Sequence, residues 1–145
     1  MTIKLYDFEL SGNCYKVRLL MSLLGLEHEL VPVNLLAGKH KSPKFLQLNL
    51  LGEVPVLTDG DLVLADSQAI LVYLAKKSGD QTWLPNDAES LSRIVRWLSI
   101  TAAEIRQGVA TARLFYLFNN KGIDLKAVTE KSAIILQQLE QHLTE

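Results

Sequence analysis

The sequence predicts an α/β unit of order β-α-β-α-β-β-α, built on a small mixed sheet, followed by an incomplete all-α unit. Two observations carry the division: strand-like and helical runs alternate up to about Gly79, and after it the strand signals vanish. A third marks the second unit as partial, because the last helical pattern still has an uncovered apolar stripe where the sequence stops at Glu145. The predicted boundaries are 1–79 for the α/β unit and 86–145 for the helical one.

Ile3 to Tyr6 is a short β-compatible run, and Val17, Leu20, Met21 and Leu24 then recur at helical spacing until Gly25 ends the pattern. Glu29-Leu30-Val31-Pro32-Val33 reads as a second strand, with Pro32 placing it at an end or an edge. A loop rich in Lys and Gly follows, and Phe45, Leu46, Leu48 and Leu50 suggest a short irregular helix. Val54 to Leu57 and Leu62 to Ala65 flank Thr58-Asp59-Gly60-Asp61, a hairpin signal. Asp66 or Ser67 is placed to cap the next helix, which carries Ile70, Leu71 and Leu74. In the second unit Asn86-Asp87-Ala88-Glu89 has the form of an N-cap with an acidic first turn. One long helix is expected from there to about Phe118, and another is expected after Asp124.

Composition narrows the function classes. Of 145 residues 48% are apolar and 21% charged, which suits a packed core, and 15 basic against 16 acidic residues lack the electrostatic footprint of a nucleic-acid binder. One cysteine, Cys14, excludes an internal disulfide framework and a multi-cysteine zinc site. The first residues show no signal peptide and no run approaches the roughly 18 to 20 apolar residues of a membrane span. The expectation is a cytoplasmic protein with no membrane or nucleic-acid partner and no metal.

Four clusters carry chemistry, and each has a plainer alternative. Ser11, Asn13 and Cys14 bring a hydroxyl, an amide and a thiol to the start of the first helix, where the positive end of the macrodipole favours a thiolate; the alternative is capping by Ser11 and Asn13 with Cys14 as filler. Lys39, His40, Lys41 and Lys44 suit a carboxylate, or form a solvated loop. Glu53-Val54-Pro55-Val56 places a proline at a strand entry, where a cis bond would leave the main chain of the preceding residue open to an extended peptide; otherwise it is an edge-strand proline. Asp66-Ser67-Gln68 offers N–H groups and a hydroxyl to an anion, or caps a helix.

Taken in order, these segments resemble the N-terminal thioredoxin-like domain of the glutathione S-transferase superfamily over the first 77 residues. The resemblance rests on Ser11-Gly-Asn-Cys-Tyr-Lys-Val-Arg18, Gly38-Lys-His-Lys-Ser42, Phe45-Leu-Gln-Leu-Asn49, Leu51 through Gly60, and Leu64 through Leu74. His40-Lys41 with Phe45-Leu46-Gln47 is most similar to the theta class, and the helical part is similar in placement and in Arg93, Arg96 and Trp97.

The resemblance implies a glutathione transferase with glutathione as co-substrate, no permanently bound cofactor, a hydrophobic electrophile as second substrate, and a homodimer. It implies that Ser67, with Asp66, takes the γ-glutamyl carboxylate. Val54, beside Glu53 and a cis Pro55, would pair with the cysteinyl main chain. His40 and Lys41 would meet the glycine carboxylate, and Glu104 would reach across a dimer to the partner's glutathione amine. Ser11 would stabilise the substrate thiolate, with Asn13 as auxiliary. Cys14 would either act directly, forming a mixed disulfide with glutathione as in some relatives, or be the remnant of a Cys-x-x-Cys pair whose first, nucleophilic cysteine is replaced by Ser11. Two further functions stay open: glutathione-dependent disulfide reduction, and a non-catalytic interaction module. Family members continue for several more helices that this sequence lacks.

Overall fold

The computed structural model describes residues 2–144. They fall into two compact units, one ending at Asn86 and the other starting at Asp87. The first holds β1 (Ile3–Asp7), α1 (Gly12–Leu23), β2 (His28–Pro32), a 3₁₀ turn at Lys39–Lys41, α2 (Pro43–Leu46), β3 (Val56–Asp59), β4 (Leu62–Ala65) and α3 (Ser67–Ser78). This is a thioredoxin-like arrangement in the predicted order.

The four-stranded sheet runs β2-β1-β3-β4. β1 and β2 are parallel, so the chain crosses over through α1, whereas β3 pairs antiparallel with both β1 and β4. Because side chains alternate along a strand, neighbouring ladder positions feed two separate cores. Leu5 and Leu57, paired across β1 and β3, join Val17, Met21, Ile70 and Leu74 from α1 and α3, and all six are fully buried. Tyr6 and Val56, the next pair along, turn to the other face with Val33, Phe45, Leu48, Val54 and Ala65. Each fully buried aliphatic side chain contributes about 1.5–3 kcal/mol, so the two layers fix the strand ends that carry the loops described below.

The first hairpin strand lies two residues later than the sequence expects, ending at Asp59 rather than Leu57, while the second lies where expected. Asp59 pairs with Leu62, so the loop is Gly60-Asp61, with the left-handed backbone on Gly60 (φ 60°). Asp59 is held in the strand because its carboxylate accepts from Tyr73 Oη at 2.7 Å and pairs with Lys77 at 2.6 Å.

The second unit contains α4 (Ala88–Ile100), a π-helical stretch (Thr101–Ala110), α5 (Thr111–Phe118) and α6 (Leu125–Thr144). Asp87 caps α4 by accepting from Ser90 N–H at 2.8 Å, and Asp124 accepts from Ala127 N–H at 3.1 Å ahead of α6. The single long helix expected up to Phe118 has instead a ten-residue middle of wider winding, in which Thr111 N–H reaches the Arg106 carbonyl five residues back. α6 crosses it at Gly108, where a Cβ would stand 3.2 Å from the Ser132 nitrogen. Ile135 of α6 is buried, while Ile134, Leu136 and Leu143 of the same helix are exposed. Among the described residues no helix is long and apolar enough to cross a membrane.

Candidate functional site

Strand register gathers the predicted clusters at one end of the sheet. Asp7 ends β1 and is level with Pro32 at the end of β2. Tyr6 is level with Val56 at the start of β3, which is level with Ala65 at the end of β4. The chain therefore leaves β1 toward Ser11, leaves β2 toward the Lys39–Lys41 turn, enters β3 through Val54-Pro55 and leaves β4 into Asp66-Ser67 on a single rim.

Ser11 is the N-cap of α1, with extended backbone, and its Oγ accepts from Cys14 N–H at 3.2 Å. Accepting that bond leaves the hydroxyl hydrogen free to donate. The turn before it is closed by Ser11 N–H to the Phe8 carbonyl at 2.8 Å. Asn13 is exposed in the first turn of α1. Cys14 has no exposed surface, and burial pushes its thiol up, with Asp7's charge adding to the rise against the lowering effect of Ser11. A buried, protonated thiol is a poor nucleophile, so the geometry favours Ser11 over Cys14 as the functional group of this turn.

Val54 lies outside the β3 ladder, and among the described residues no hydrogen bond uses its N–H or C=O. Its side chain packs on the lower core with Val33, Phe45 and Val56, and the Val54–Pro55 bond is cis. Pro55 is buried, and Glu53 is exposed with its carbonyl taking Asn49 Nδ2 at 3.0 Å. The rim thus presents one unpaired main-chain segment anchored from below.

Asp66 sits at φ 73°, an uncommon conformation for a residue with a side chain, and its Oδ1 accepts from the N–H groups of Gln68 (2.9 Å) and Ala69 (3.1 Å). Asp66 is thereby the helix cap, and Ser67 becomes the first residue of α3, 4% exposed, with no side-chain hydrogen bond among the described residues. Lys16 of α1 feels Asp66 across this opening: burial lowers its pKa, and the Asp66 charge works in the opposite direction.

On the far side, Lys41 Nζ donates to the Leu51 carbonyl at 2.7 Å, tying the basic turn to the strand entry. Gly52, at φ 59°, makes this approach possible, since a Cβ there would lie 2.7 Å from the His40 carbonyl oxygen. His40 Nδ1 is buried with no partner among the described residues, and Lys44 is exposed. Glu104 belongs to the second unit, where it borders an open groove of about 610 Å³ together with Arg96 and Gln138. Among the described residues no three His, Cys, Asp or Glu side chains gather as a metal site.

Three features at this rim carry no role in the site that the resemblance implies. Gln68 Oε1 is buried without a partner among the described residues beside the α3 cap. Gly52 was legible only as a glycine two residues before Val54, with nothing in one sequence to reveal the approach of His40. The Asp7–Arg18 ion pair joins positions eleven apart, and its signal, an acid closing a buried strand and an arginine early in the next helix, is a weak one.

A thioredoxin-like sheet with this open rim defines the class of the first unit. Residues 1–76 match the model of the glutathione S-transferase N-terminal domain, and the chain belongs to that family. It is 39% identical over 124 residues to glutathione S-transferase 1 of Dianthus caryophyllus, covering 86% of this chain and 56% of that protein. The crystal structure of a glutathione S-transferase from Pseudomonas fluorescens superposes with a TM-score of 0.92 at 29% identity, over 100% of this chain and 73% of the other. A structure of glutathione S-transferase-I bound with lactoylglutathione superposes at 0.81 and 28% identity, over 99% and 72%. The chain spans 38–60% of the length of the first curated relatives it matches.

Proposed function

We propose that this chain binds glutathione along the sheet rim and stabilises its thiolate for attack on an electrophilic small molecule. The observation that carries the reading is the unpaired main chain of Val54, flanked by the hydroxyl of Ser11 at one helix start and by Ser67 at another. The cysteinyl part of glutathione would pair with Val54 in the manner of an added strand. Its γ-glutamyl carboxylate would take the Ser67 hydroxyl and N–H, favoured by the positive end of α3, with Asp66 holding the turn. The glycine carboxylate would face His40 and Lys41. That a family member is described as holding lactoylglutathione supports a glutathione-derived ligand here.

The chemistry needs little from the protein. A free thiol with a pKa near 8.5 is only a few per cent ionised at pH 7, and lowering it by about two units takes roughly 2.7 kcal/mol. A hydrogen bond from Ser11 to the charged sulfur is worth about 1.5–3 kcal/mol and the helix start about 0.3–1 more, which suffices. The thiolate sulfur then forms a bond to the electrophilic carbon, whose leaving group departs with the bonding electrons, and the thiol proton goes to solvent. Asn13 is an auxiliary donor in this scheme, and Cys14 packs beneath. A homodimer in which Glu104 reaches the partner's glutathione, a hydrophobic electrophile, and a cytoplasmic setting complete the proposal.

Calorimetric titration with glutathione tests it, and binding at or below millimolar concentration is expected. No heat of binding at millimolar glutathione defeats the reading and leaves a non-catalytic module. Given binding, rates on an activated aryl halide and on a small disulfide separate conjugation from disulfide reduction, with conjugation expected to dominate.

A further inference from the structure

We infer that Arg18 is a positioning residue for the Ser11 turn, acting through a guanidinium that bridges Asp7 and the Glu9 carbonyl. The inference rests on the glutathione reading above and adds a part to it. Arg18 Nη1 pairs with Asp7 Oδ1, and Nη2 donates to the Glu9 carbonyl oxygen at 3.2 Å. Asp7 is the last residue of β1, buried, with its own carbonyl accepting from Val33 N–H at 2.7 Å. Glu9 is the midpoint of the chain between that strand and the α1 cap. One side chain therefore ties the strand end and the middle of the turn to the helix whose first turn Ser11 caps. Ser11 N–H to the Phe8 carbonyl closes the same turn at 2.8 Å.

The same pair settles a charge conflict. Asp7 lies close enough to the start of α1 for its charge to act on Cys14, so an unneutralised Asp7 opposes any thiolate brought to that helix end. The Arg18 guanidinium, paired with Asp7, sets a positive charge against that field. A guanidinium is suited to both tasks at once because its planar fork serves two acceptors, whereas an ammonium is a point charge. Arg18 is also within 5.9 Å of the Tyr15 ring, which borders it on the solvent side. Of the other charged groups at this end of the sheet, Lys16 of α1 feels the charge of Asp66 at the α3 cap, and these two, with Glu9, Lys41, Lys44 and Glu53, stay unaltered in the variants below.

The test reads the thiolate absorbance of bound glutathione against pH, with thermal melts in parallel, for the chain itself, Arg18→Lys and Arg18→Met. For the unaltered chain the ionisation midpoint is expected below that of free glutathione. Arg18→Met is expected to raise the midpoint by about one pH unit, a tenfold loss of conjugation rate below it. Arg18→Lys keeps a charge on Asp7 but loses the bond to Glu9, so its midpoint rises by less while its melting temperature stays near that of the unaltered chain. A folded Arg18→Lys variant that binds glutathione with the unaltered midpoint overturns the assignment, even where Arg18→Met fails to fold. If the unaltered chain neither binds glutathione nor shifts its ionisation, the glutathione reading itself falls, and the first measurement shows this before any variant is compared.

Discussion

Replacing Ser11 by Ala separates the cap that the structure shows from the thiolate stabilisation proposed for the same hydroxyl. Oγ accepts from Cys14 N–H and so caps α1, while its hydrogen remains available to a sulfur in front of the helix. Loss of an N-cap costs about 0.5–2 kcal/mol. At roughly 4–8 °C per kcal/mol for a unit of this size, the melting temperature should fall by several degrees. Loss of a hydrogen bond to a charged group, worth about 1.5–3 kcal/mol, should raise the midpoint of bound glutathione by about one to two pH units. Conjugation measured below that midpoint should then fall about tenfold to a hundredfold or somewhat more. Ser11→Thr, which keeps a hydroxyl at the cap, should recover most of both. The measurements are the pH titration of thiolate absorbance and a thermal melt on the same samples. A lowered melting temperature with an unchanged midpoint would refute the reasoning, because the hydroxyl would then be a helix cap and nothing more.

Other positions give sharper structural tests. Gly52→Ala should destabilise the rim by at least the roughly 1–2 kcal/mol of a left-handed backbone, with the contact to His40 oxygen adding to it; calorimetry should show weaker glutathione binding with little change in the thiolate midpoint. Leu74→Ala removes a fully buried side chain from the α1–α3 core and should cost about 2–5 kcal/mol, read as a melting temperature lower by roughly 10 °C or more. Asp59 has a carboxyl held below its ordinary range by Lys77, then by Tyr73. Its folded value lies below its unfolded one, so its contribution is complete above about pH 4 and fades as pH falls through the folded value. Asp59→Asn should accordingly flatten the acid limb of a melting-temperature profile, and an unchanged limb would show that other carboxyls set it.

The first unit was legible because its signals are local and repeated. Gly25 and Gly79, both at positive φ, punctuate helices whose apolar spacing is unambiguous, and Asp87 and Asp124 announce their helices by side-chain chemistry alone. The first hairpin strand runs two residues further than expected because an Asp-Gly pair suits a turn either at its centre or with the Asp closing the strand and the Gly opening the loop. Only the Tyr73 and Lys77 contacts from α3 select the second. The wide winding of Thr101–Ala110 was invisible for a related reason: an apolar stripe does not distinguish carbonyls four residues back from carbonyls five back. The close approach of Ser132 to Gly108 comes from a different helix.

The site shows the same division between what one segment carries and what two segments make together. Ser11, Val54 and Ser67 were recognisable because each sits where a strand meets a turn or a helix, and strand order alone brings such junctions to one rim. The groups that hold those three in place were not, since each acts across the chain: Lys41 on Leu51, His40 against Gly52, Arg18 on Asp7 and Glu9. The residues that would touch glutathione lie on the rim, and those that aim them lie behind it. The placement also supports the proposal that Ser11, and not the cysteine three residues on, would meet the substrate sulfur. Position 11 faces out at the cap with a free hydrogen, whereas position 14 has already turned into the core, where its thiol is kept protonated by burial. In the proposed function, a substrate that brings its own sulfur to the open position would need from the protein a donor, a helix end and an Asp7 paired with Arg18.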